Sequence, residues 1–436
     1  MTPLTFDSSL RTAEDAAVTD RSPARLAPGL ELLGEYQGSG STEAQYLLRR
    51  RDGVVVAVSR LLYAVVAEVD GQRSLDAIAA LVTSNAHRPV SAANVAYLVH
   101  QKLRPLGVLA GDADDGPRPT RPVLALAVRN AVVPDRLVRA TSAHFRPLFL
   151  PPIVGAVLAA FVTMDAWLLF AHPEGPGLGD VIRRPALVLL VGVLTVVAAG
   201  FHELGHAAGA QYGGARPGVM GVGIYLIWPV FFSDLTDSYR LSRAGRLRAD
   251  LGGVYFNVVF MLVVGAIYGL TGSGALLVVV ALQHLAVLQQ FLPFLRLDGY
   301  YIVSDLVGVP DLFARIKPVL SRLVPGRSGG AGGDLKPRVR AVVTVWVLVT
   351  VVLMAASLVL LTIRLPSIVT GTWQFAFDQA LLVAALMRNG EVVGVVAGLR
   401  LLMLAVPLTG LTVALLRVVR GRRSPALKPR QAPGRA

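Results

Sequence analysis

Six long apolar segments limit what this chain can fold into more than any other feature of its sequence. A helix needs about 20 apolar residues to cross the hydrocarbon core of a bilayer, and each segment is close to that length. Only 16% of the residues are charged and 54% are hydrophobic, which argues against a disordered chain or an ordinary soluble protein. We therefore predict a polytopic α-helical membrane protein with about six transmembrane helices. Their approximate ranges are 147–171, 185–208, 251–270, 275–296, 339–363 and 392–418.

Two further apolar stretches do not fit a simple span. Residues 219–233 are short and interrupted by Gly and Pro, which favours a re-entrant or membrane-buried hairpin that offers an edge strand within 223–232. Residues 369–388 contain Asp378 and Arg388, and a charged side chain in the bilayer centre costs about 2.5–3.5 kcal/mol. We expect this second stretch at the membrane interface.

The positive charges indicate an orientation. The formal net charge is +14, and Lys and Arg concentrate in the loops 240–248, 315–340 and 417–435. We expect the chain in a bacterial cytoplasmic membrane. By the positive-inside rule, these loops, the N-terminal region and the C-terminus lie on its cytoplasmic side. The charge excess therefore does not indicate nucleic-acid binding. The chain begins without a basic stretch followed by an apolar one, so no signal peptide is expected.

The N-terminal region has the pattern of a small α+β domain. Residues 1–25 are polar and predict a mobile tail, whereas residues 26–111 predict a compact, winged-helix-like fold. The β-prone runs 46–50 and 54–58 are joined through Asp52-Gly53, and Asp-Gly is a strong hairpin signal.

Three helical patterns follow the hairpin. Ser74 and Ser91 stand at the starts of the second and third helices as predicted N-caps, because a serine hydroxyl can accept a bond from an otherwise unpaired backbone N–H. Gly107 ends the third helix. After this domain, residues 112–146 predict a linker and an amphipathic interfacial helix. The membrane domain is expected to span 147–420, and residues 421–436 form a basic cytoplasmic tail.

The sequence His202-Glu203-Leu204-Gly205-His206 lies within the second apolar segment. Histidines four residues apart share one face of a helix, so both imidazoles can bind one Zn²⁺. Glu203 follows the first ligand, where it can bond a water held by the metal. The chain has 7 His and no Cys, which makes a chance HExxH improbable and excludes thiolate ligands. The alternative is a histidine pair satisfied by neighbouring helices.

A catalytic zinc needs a third protein ligand and an open position for water. Asp298 is the best candidate, because the fourth segment returns to the side of the membrane where His206 lies. Gly299 would let the backbone turn tightly beside it. Asp298 could instead end a helix or pair with Arg296. His284 lies deeper in the membrane, and we interpret it as a helix–helix hydrogen-bonding residue.

These motifs resemble the site-2 protease family of intramembrane zinc metalloproteases. Leu297-Asp298-Gly299 matches the family's LDG motif, and Gly253 and Asn257 match its GxxxN element. The sequence around Asp298 is similar to that of a bacterial branch of this family named peptide zinc metalloproteases. The resemblance implies one catalytic zinc on His202, His206 and Asp298, with Glu203 as the general base. It also implies that Gly253 and Asn257 lie near the substrate, although Asn257 could make only an interhelical hydrogen bond.

The N-terminal domain resembles a PqqD-like domain, the module that recognises leader peptides of ribosomally synthesised, modified peptides. The resemblance implies that a leader adds as a strand at a sheet edge, between residues 54–58 and the helix at 91–104. A generic winged helix with another partner is the alternative. DNA is the weaker partner, because the third helix carries only Lys102 and Arg104 as basic residues.

Together, the two resemblances imply a maturation protease that removes the leader of a modified peptide, similar to the protease of daptide-type pathways. An exporter and peptide-modifying enzymes are expected partners, with the lipid bilayer and a peptide or membrane-protein substrate. Two alternatives stay open. One is a regulatory protease that cleaves a membrane-bound transcription regulator, and the other is a non-catalytic peptide-binding or export accessory protein.

Overall fold

The computed structural model describes residues 24–51, 54–86, 89–110, 129–171, 177–225, 228–322 and 334–389. Residues 1–23 of the predicted tail (1–25), the predicted turn residues Asp52-Gly53, residues 111–128 with the predicted linker, the sixth apolar segment and the basic C-terminal tail lie outside these residues. The described part is mostly helical, with two small sheets.

The N-terminal domain is a three-stranded antiparallel sheet followed by three helices. The strands β1 (Glu31–Glu35), β2 (Gln45–Arg49) and β3 (Val55–Ser59) pair in the order β1-β2-β3. The helices are α1 (Arg60–Glu68), α2 (Leu75–Ala86) and α3 (Ala92–Tyr97), and a π-helical turn and a 3₁₀ turn extend α3 to Leu106. Buried aliphatic residues from the sheet and all three helices form one core.

The predicted local signals of this domain are confirmed. The hairpin lies within one residue of its predicted position, and Ser74 and Ser91 accept bonds from backbone N–H groups of the first helical turn at 3.2 Å. Gly107 ends the third helix with φ 65°. The sequence reading missed β1, whose Gly34 lies at a bulge with φ 94°. The α+β class is confirmed, whereas the winged-helix assignment stays a prediction.

Four described helices are long and apolar enough to cross a membrane. They are α5 (Pro151–Ala171), α7 (Pro185–Tyr212), α8 (Arg243–Thr271) and the first part of α12 (Pro337–Asn389). Shorter helices precede or separate them: α4 (Asp135–Phe145), α6 (Leu178–Arg183), α9 (Gly274–Gln290), α10 (Asp298–Val307) and α11 (Ile316–Arg322). The helix α8 packs against α7, α5, α9 and α10 and so lies at the centre of the bundle.

One predicted span and one predicted interfacial segment differ from the structure. The fourth, 275–296, ends as the 17-residue helix α9 at Gln290, because Pro293 lacks the N–H of a helix interior and its ring clashes with a preceding carbonyl. Residues 369–388 are not a separate segment, because they continue α12 beyond Pro366. At 1.5 Å per residue the 53 residues of α12 extend about 80 Å, well beyond the thickness of a bilayer.

A second sheet stands beside the helices in the order β4-β5-β6. The hairpin predicted at 219–233 is confirmed as β5 (Met220–Tyr225) and β6 (Trp228–Ser233). The third strand, β4 (Arg129–Val133), corrects the amphipathic helix that we predicted through this stretch. Val132 and Val133 favour a strand, and Pro134 holds the residue before it in an extended conformation. The helix begins only afterwards, as α4.

Candidate metal centre

The last turns of α7 carry the two histidines on one face. His202 and His206 are each 6% exposed, and their Nε2 atoms lie 3.1 Å apart. The spacing of four residues brings both rings to the same side of the helix, as the sequence predicts. A buried pair of imidazoles with facing nitrogens is one half of a metal site.

Asp298 completes the group from another element. It is the first residue of α10, and its Oδ2 lies 3.1 Å from Nε2 of His202 and 3.3 Å from Nε2 of His206. Arg296 does not pair with it, because that guanidinium binds Asp311 at 3.1 Å. Gly299 permits this position, since a Cβ there would lie 2.8 Å from Cα of Phe291 at the end of α9.

The three atoms fit a small divalent cation. Ligand atoms 2.0–2.2 Å from a tetrahedral zinc lie about 3.3–3.6 Å from one another, which is close to the separations of 3.1–3.3 Å seen here. Nδ1 of His206 lies 2.8 Å from the carbonyl of Ala249, and a carbonyl only accepts, so this nitrogen carries the proton. Nε2 of His206 is then directed at the Asp298 carboxylate, where a cation satisfies all three atoms together.

The electrostatics keep the carboxylate ionised. Burial on its own raises the pKa of Asp298, but when the imidazoles are protonated, Coulombic attraction to His206 and hydrogen bonds from both rings lower it by more, so the pKa lies below its ordinary value. The position of Asp298 at the start of a helix adds to this, because the amino end of a helix stabilises negative charge. A metal ligand of this type must be deprotonated to bind.

Glu203 lies beside the histidines and is held by the second sheet. The hydroxyl of Ser233, at the end of β6, lies 2.9 Å from Oε2 of Glu203 and 3.1 Å from its backbone carbonyl. The Glu203 carboxylate is therefore held by Ser233, which the sequence analysis did not identify as a site residue. Ser233 has no motif around it, and only the pairing of β6 with α7 brings it to this place.

The two remaining predicted site residues lie on α8, one turn apart. Gly253 packs directly on the histidine rings, because a Cβ there would stand 2.5–2.6 Å from ring atoms of His202 and even closer to Nε2 of His206. Asn257 is buried at 3% exposure, and its Oδ1 has no hydrogen-bond partner. An orphaned buried acceptor leaves the side chain able to receive an N–H from a bound peptide.

His284 takes no part in this group. Its Nε2 lies 3.1 Å from Oδ2 of Asp165 on α5, and its ring stacks on Phe161. The interpretation as a helix–helix hydrogen-bonding residue is therefore confirmed, with Asp165 as the partner. The sequence reading also missed Tyr225 of β5, whose hydroxyl accepts a bond from the backbone N–H of Arg296 at 2.8 Å and so ties the second sheet to the segment before Asp298.

One curated relative gives an independent comparison. The "Putative peptide zinc metalloprotease protein YydH" of Bacillus subtilis is 25% identical to this chain over 143 residues. The match covers 32% of this chain and 56% of the relative, so the chain spans about half the length of the curated protein it matches. No protein-family model and no solved structure matches the chain.

Proposed function

We propose that this chain is a zinc-dependent metalloendopeptidase of the bacterial cytoplasmic membrane. The observation that carries the proposal is the convergence of His202, His206 and Asp298 within 3.1–3.3 Å, with Glu203 beside them. The likeness to a protein named as a peptide zinc metalloprotease points to the same chemistry. Four helices long and apolar enough to cross a membrane support the location.

The side chains have distinct roles in this proposal. When bound by His202, His206 and Asp298, zinc supplies Lewis acidity to the scissile carbonyl and to the attacking water. Glu203 accepts the proton of that water at its carboxylate and returns it to the leaving amine. Asn257 receives a hydrogen bond from the peptide backbone or donates one to the developing oxyanion. Ser233 keeps the Glu203 carboxylate in one rotamer.

The second sheet gives the substrate a place to bind. Within the described residues the strand that pairs with β6 is β5, and the other side of β6 faces α7. A peptide that adds as a strand along this side of β6 is extended, as hydrolysis requires, and passes Glu203 because Ser233 ends the same strand. This arrangement favours an unwound substrate segment over an intact helix.

The N-terminal domain suggests the substrate class. In the part of the chain that the structure describes, β3 pairs only with β2, and its residues share the domain core with α3. A leader peptide added to β3 would raise the local concentration of its precursor at the metal centre. We therefore propose removal of the leader of a ribosomally synthesised, modified peptide, of the daptide type, on the cytoplasmic side.

The first test measures cleavage of a short precursor peptide that carries its leader, with purified protein in liposomes and mass spectrometry of the products. We expect cleavage by wild type and a loss of about 10²–10⁴-fold in Glu203→Gln, because the general base is removed while the shape is kept. Glu43→Gln, at an exposed glutamate of the N-terminal domain, is the matched control and should keep full activity. Equal activity in all three proteins would contradict the proposal.

A second experiment tests the proposed substrate class. The same peptide with the distal part of its leader deleted, but with the leader–core junction kept, should be cleaved far more slowly, because the N-terminal domain no longer holds it. If this shortened peptide is cleaved as fast as the full-length one, leader recognition is wrong while the protease stands. A membrane-anchored transcription regulator is then the next substrate to test, in place of the maturation role.

A further inference from the structure

The N-terminal domain meets the membrane domain at one buried cluster. The hydroxyl of Tyr36, directly after β1, donates to Oδ1 of Asp305 on α10 at 2.7 Å. Arg246 at the start of α8 donates to the same oxygen, also at 2.7 Å. Its guanidinium continues to the carbonyls of Leu241 and Gln37, at 2.9 and 3.0 Å. One carboxylate oxygen thus joins three parts of the chain.

The side chains of this cluster are buried, unlike those of a surface contact. Tyr36 and Arg246 are each 1% exposed, and the guanidinium lies over the tyrosine ring at 4.2 Å. Burial and the Asp305 carboxylate raise the pKa of Tyr36 above its ordinary value, so its hydroxyl remains a donor. Removing one partner of such a buried charged network leaves the others unsatisfied, which is costly.

Backbone contacts reinforce the same junction. The N–H of Gly40 donates to the carbonyl of Gly308 at 2.8 Å, and the N–H of Lys336 donates to the carbonyl of Gly40 at 3.0 Å. Gly308 ends α10 with φ 68°, and it lies so close to Gly38 that a Cβ would clash with that backbone. The loop between β1 and β2 therefore covers the carboxyl end of α10.

The other end of α10 carries the metal-site aspartate. Asp298 and Asp305 are the first and eighth residues of this helix, so about 10 Å of helix joins them at 1.5 Å per residue. A helix this short moves as one body. Its position relative to His202 and His206 is therefore fixed in part by what holds Asp305.

A second connection passes through α8. Arg246 and Ala249 lie in the same turn of this helix, and the carbonyl of Ala249 accepts the bond that fixes the His206 ring. The residue that binds Asp305 thus also anchors the turn that orients a histidine. Groups that orient metal ligands in this way commonly change metal affinity by 10–100-fold when they are altered.

We propose that the N-terminal domain is a structural part of the metal centre, in which Tyr36 and Arg246 hold Asp305 and, through α10, keep Asp298 against the two histidines. The inference rests on the metal role proposed above for Asp298. Tyr36, Arg246 and Asp305 are positioning residues that act through α10 and never touch the substrate. The domain that binds the leader therefore also supports the cleavage site, and deleting it would remove both.

The test measures zinc affinity of the full-length chain in detergent, by competition with a chelating indicator and without any peptide. Tyr36→Phe removes only the hydroxyl and should weaken zinc binding about tenfold, whereas Asp305→Asn should weaken it by up to about 100-fold. Tyr63→Phe, in the same domain but outside this cluster, is the matched control and should bind zinc like wild type. Asp298→Asn shows the effect of a lost ligand.

A spectroscopic measurement separates positioning from general destabilisation. With Co²⁺ bound in place of zinc at saturation, the visible bands report the ligand geometry. We expect altered bands in Tyr36→Phe when they are recorded well below its melting temperature, where the protein is folded, and unaltered bands in Tyr63→Phe. Two results together would overturn the inference and leave the proposed function. Tyr36→Phe and Asp305→Asn would show wild-type zinc affinity and wild-type bands, and Asp298→Asn would bind zinc weakly. Equal zinc binding by wild type and Asp298→Asn would overturn both the inference and the proposed function.

Discussion

The helices α5 and α8 have similar hydropathy and opposite surroundings. Both are long and apolar enough to cross a membrane, yet 56% of the apolar window of α8 is buried inside the protein and none of that of α5 is. Gly253 on α8 packs on the histidine rings, whereas Gly155 on α5 has no atom within 4 Å of its Cβ position. Hydropathy thus identifies a candidate span without showing which neighbours it has.

Small residues account for the difference. Where α7 crosses α8, the backbones meet at Gly205 and Gly252, and a Cβ on either one would clash with the other. Apolar side chains gain little by leaving lipid for protein, so close backbone contact and polar bonds bring membrane helices together. The helix α8 has both, whereas α5 is linked to α9 by the hydrogen bond between Asp165 and His284.

The largest effect that tests this comparison is expected at Gly253. Gly253→Ala adds a methyl group that would lie 2.5–2.6 Å from ring atoms of His202, so the rings or the helix must shift. We expect zinc binding and peptide cleavage to fall by at least about 100-fold, since ligand positions tolerate errors of only about 0.5 Å. Zinc titration and cleavage assays measure both.

Gly155→Ala is the control for this prediction, because it makes the same chemical change on α5. It should leave zinc binding and cleavage at the wild-type level. Full activity in Gly253→Ala would show that α8 can move away from the histidines, and the close contact would then not be needed for the site.

A smaller effect is expected on stability at the crossing of α7 and α8. In Gly205→Ala the new Cβ would meet the carbonyl of Gly252 and Cγ of Phe256, the latter at 2.6 Å. Overpacking of this kind typically costs about 1–3 kcal/mol. Gly200→Ala on the same helix has open space, and it should be neutral or gain up to about 1 kcal/mol from helix propensity. Thermal unfolding in detergent shows whether each variant lowers or raises the melting temperature. Equal shifts of the melting temperature in the two variants would contradict close packing at the crossing.

The difference between a pattern within one segment and its contacts with other segments also explains how much could be predicted from the sequence. The histidine spacing is a pattern within one helix, whereas Asp298 and Gly253, on other helices, were expected from the family resemblance of their motifs. The structure brings His202, His206, Asp298 and Gly253 together as expected. The strand runs and serine caps of the N-terminal domain are local patterns, and the structure confirms them, whereas the turn residues Asp52-Gly53 lie outside the described residues. Patterns of this kind are readable because the chemistry fixes the spacing within one element.

What the sequence could not show depends on pairing between distant segments. Ser233 reaches Glu203 only because β6 lies along α7, and Tyr36 reaches Asp305 across 269 positions of the chain. The strand β4 was predicted as part of a helix for the same reason, since Arg129 and the arginines after the strand give an amphipathic pattern until β5 provides a partner. No periodicity within one segment encodes such contacts.

The smallest predicted effect is at the outer helix α5. Asp165 and His284 lie 3.1 Å apart, but their side chains are 35% and 41% exposed, unlike the buried metal group. Polar bonds between membrane helices contribute about 0.6 kcal/mol on average, so Asp165→Asn should lower the melting temperature only slightly and leave cleavage unchanged. A double-mutant cycle with His284→Gln isolates the pair, and we expect a coupling energy below about 1.7 kcal/mol. Loss of cleavage in Asp165→Asn at wild-type stability would contradict this view, because α5 would then belong to the catalytic part of the bundle.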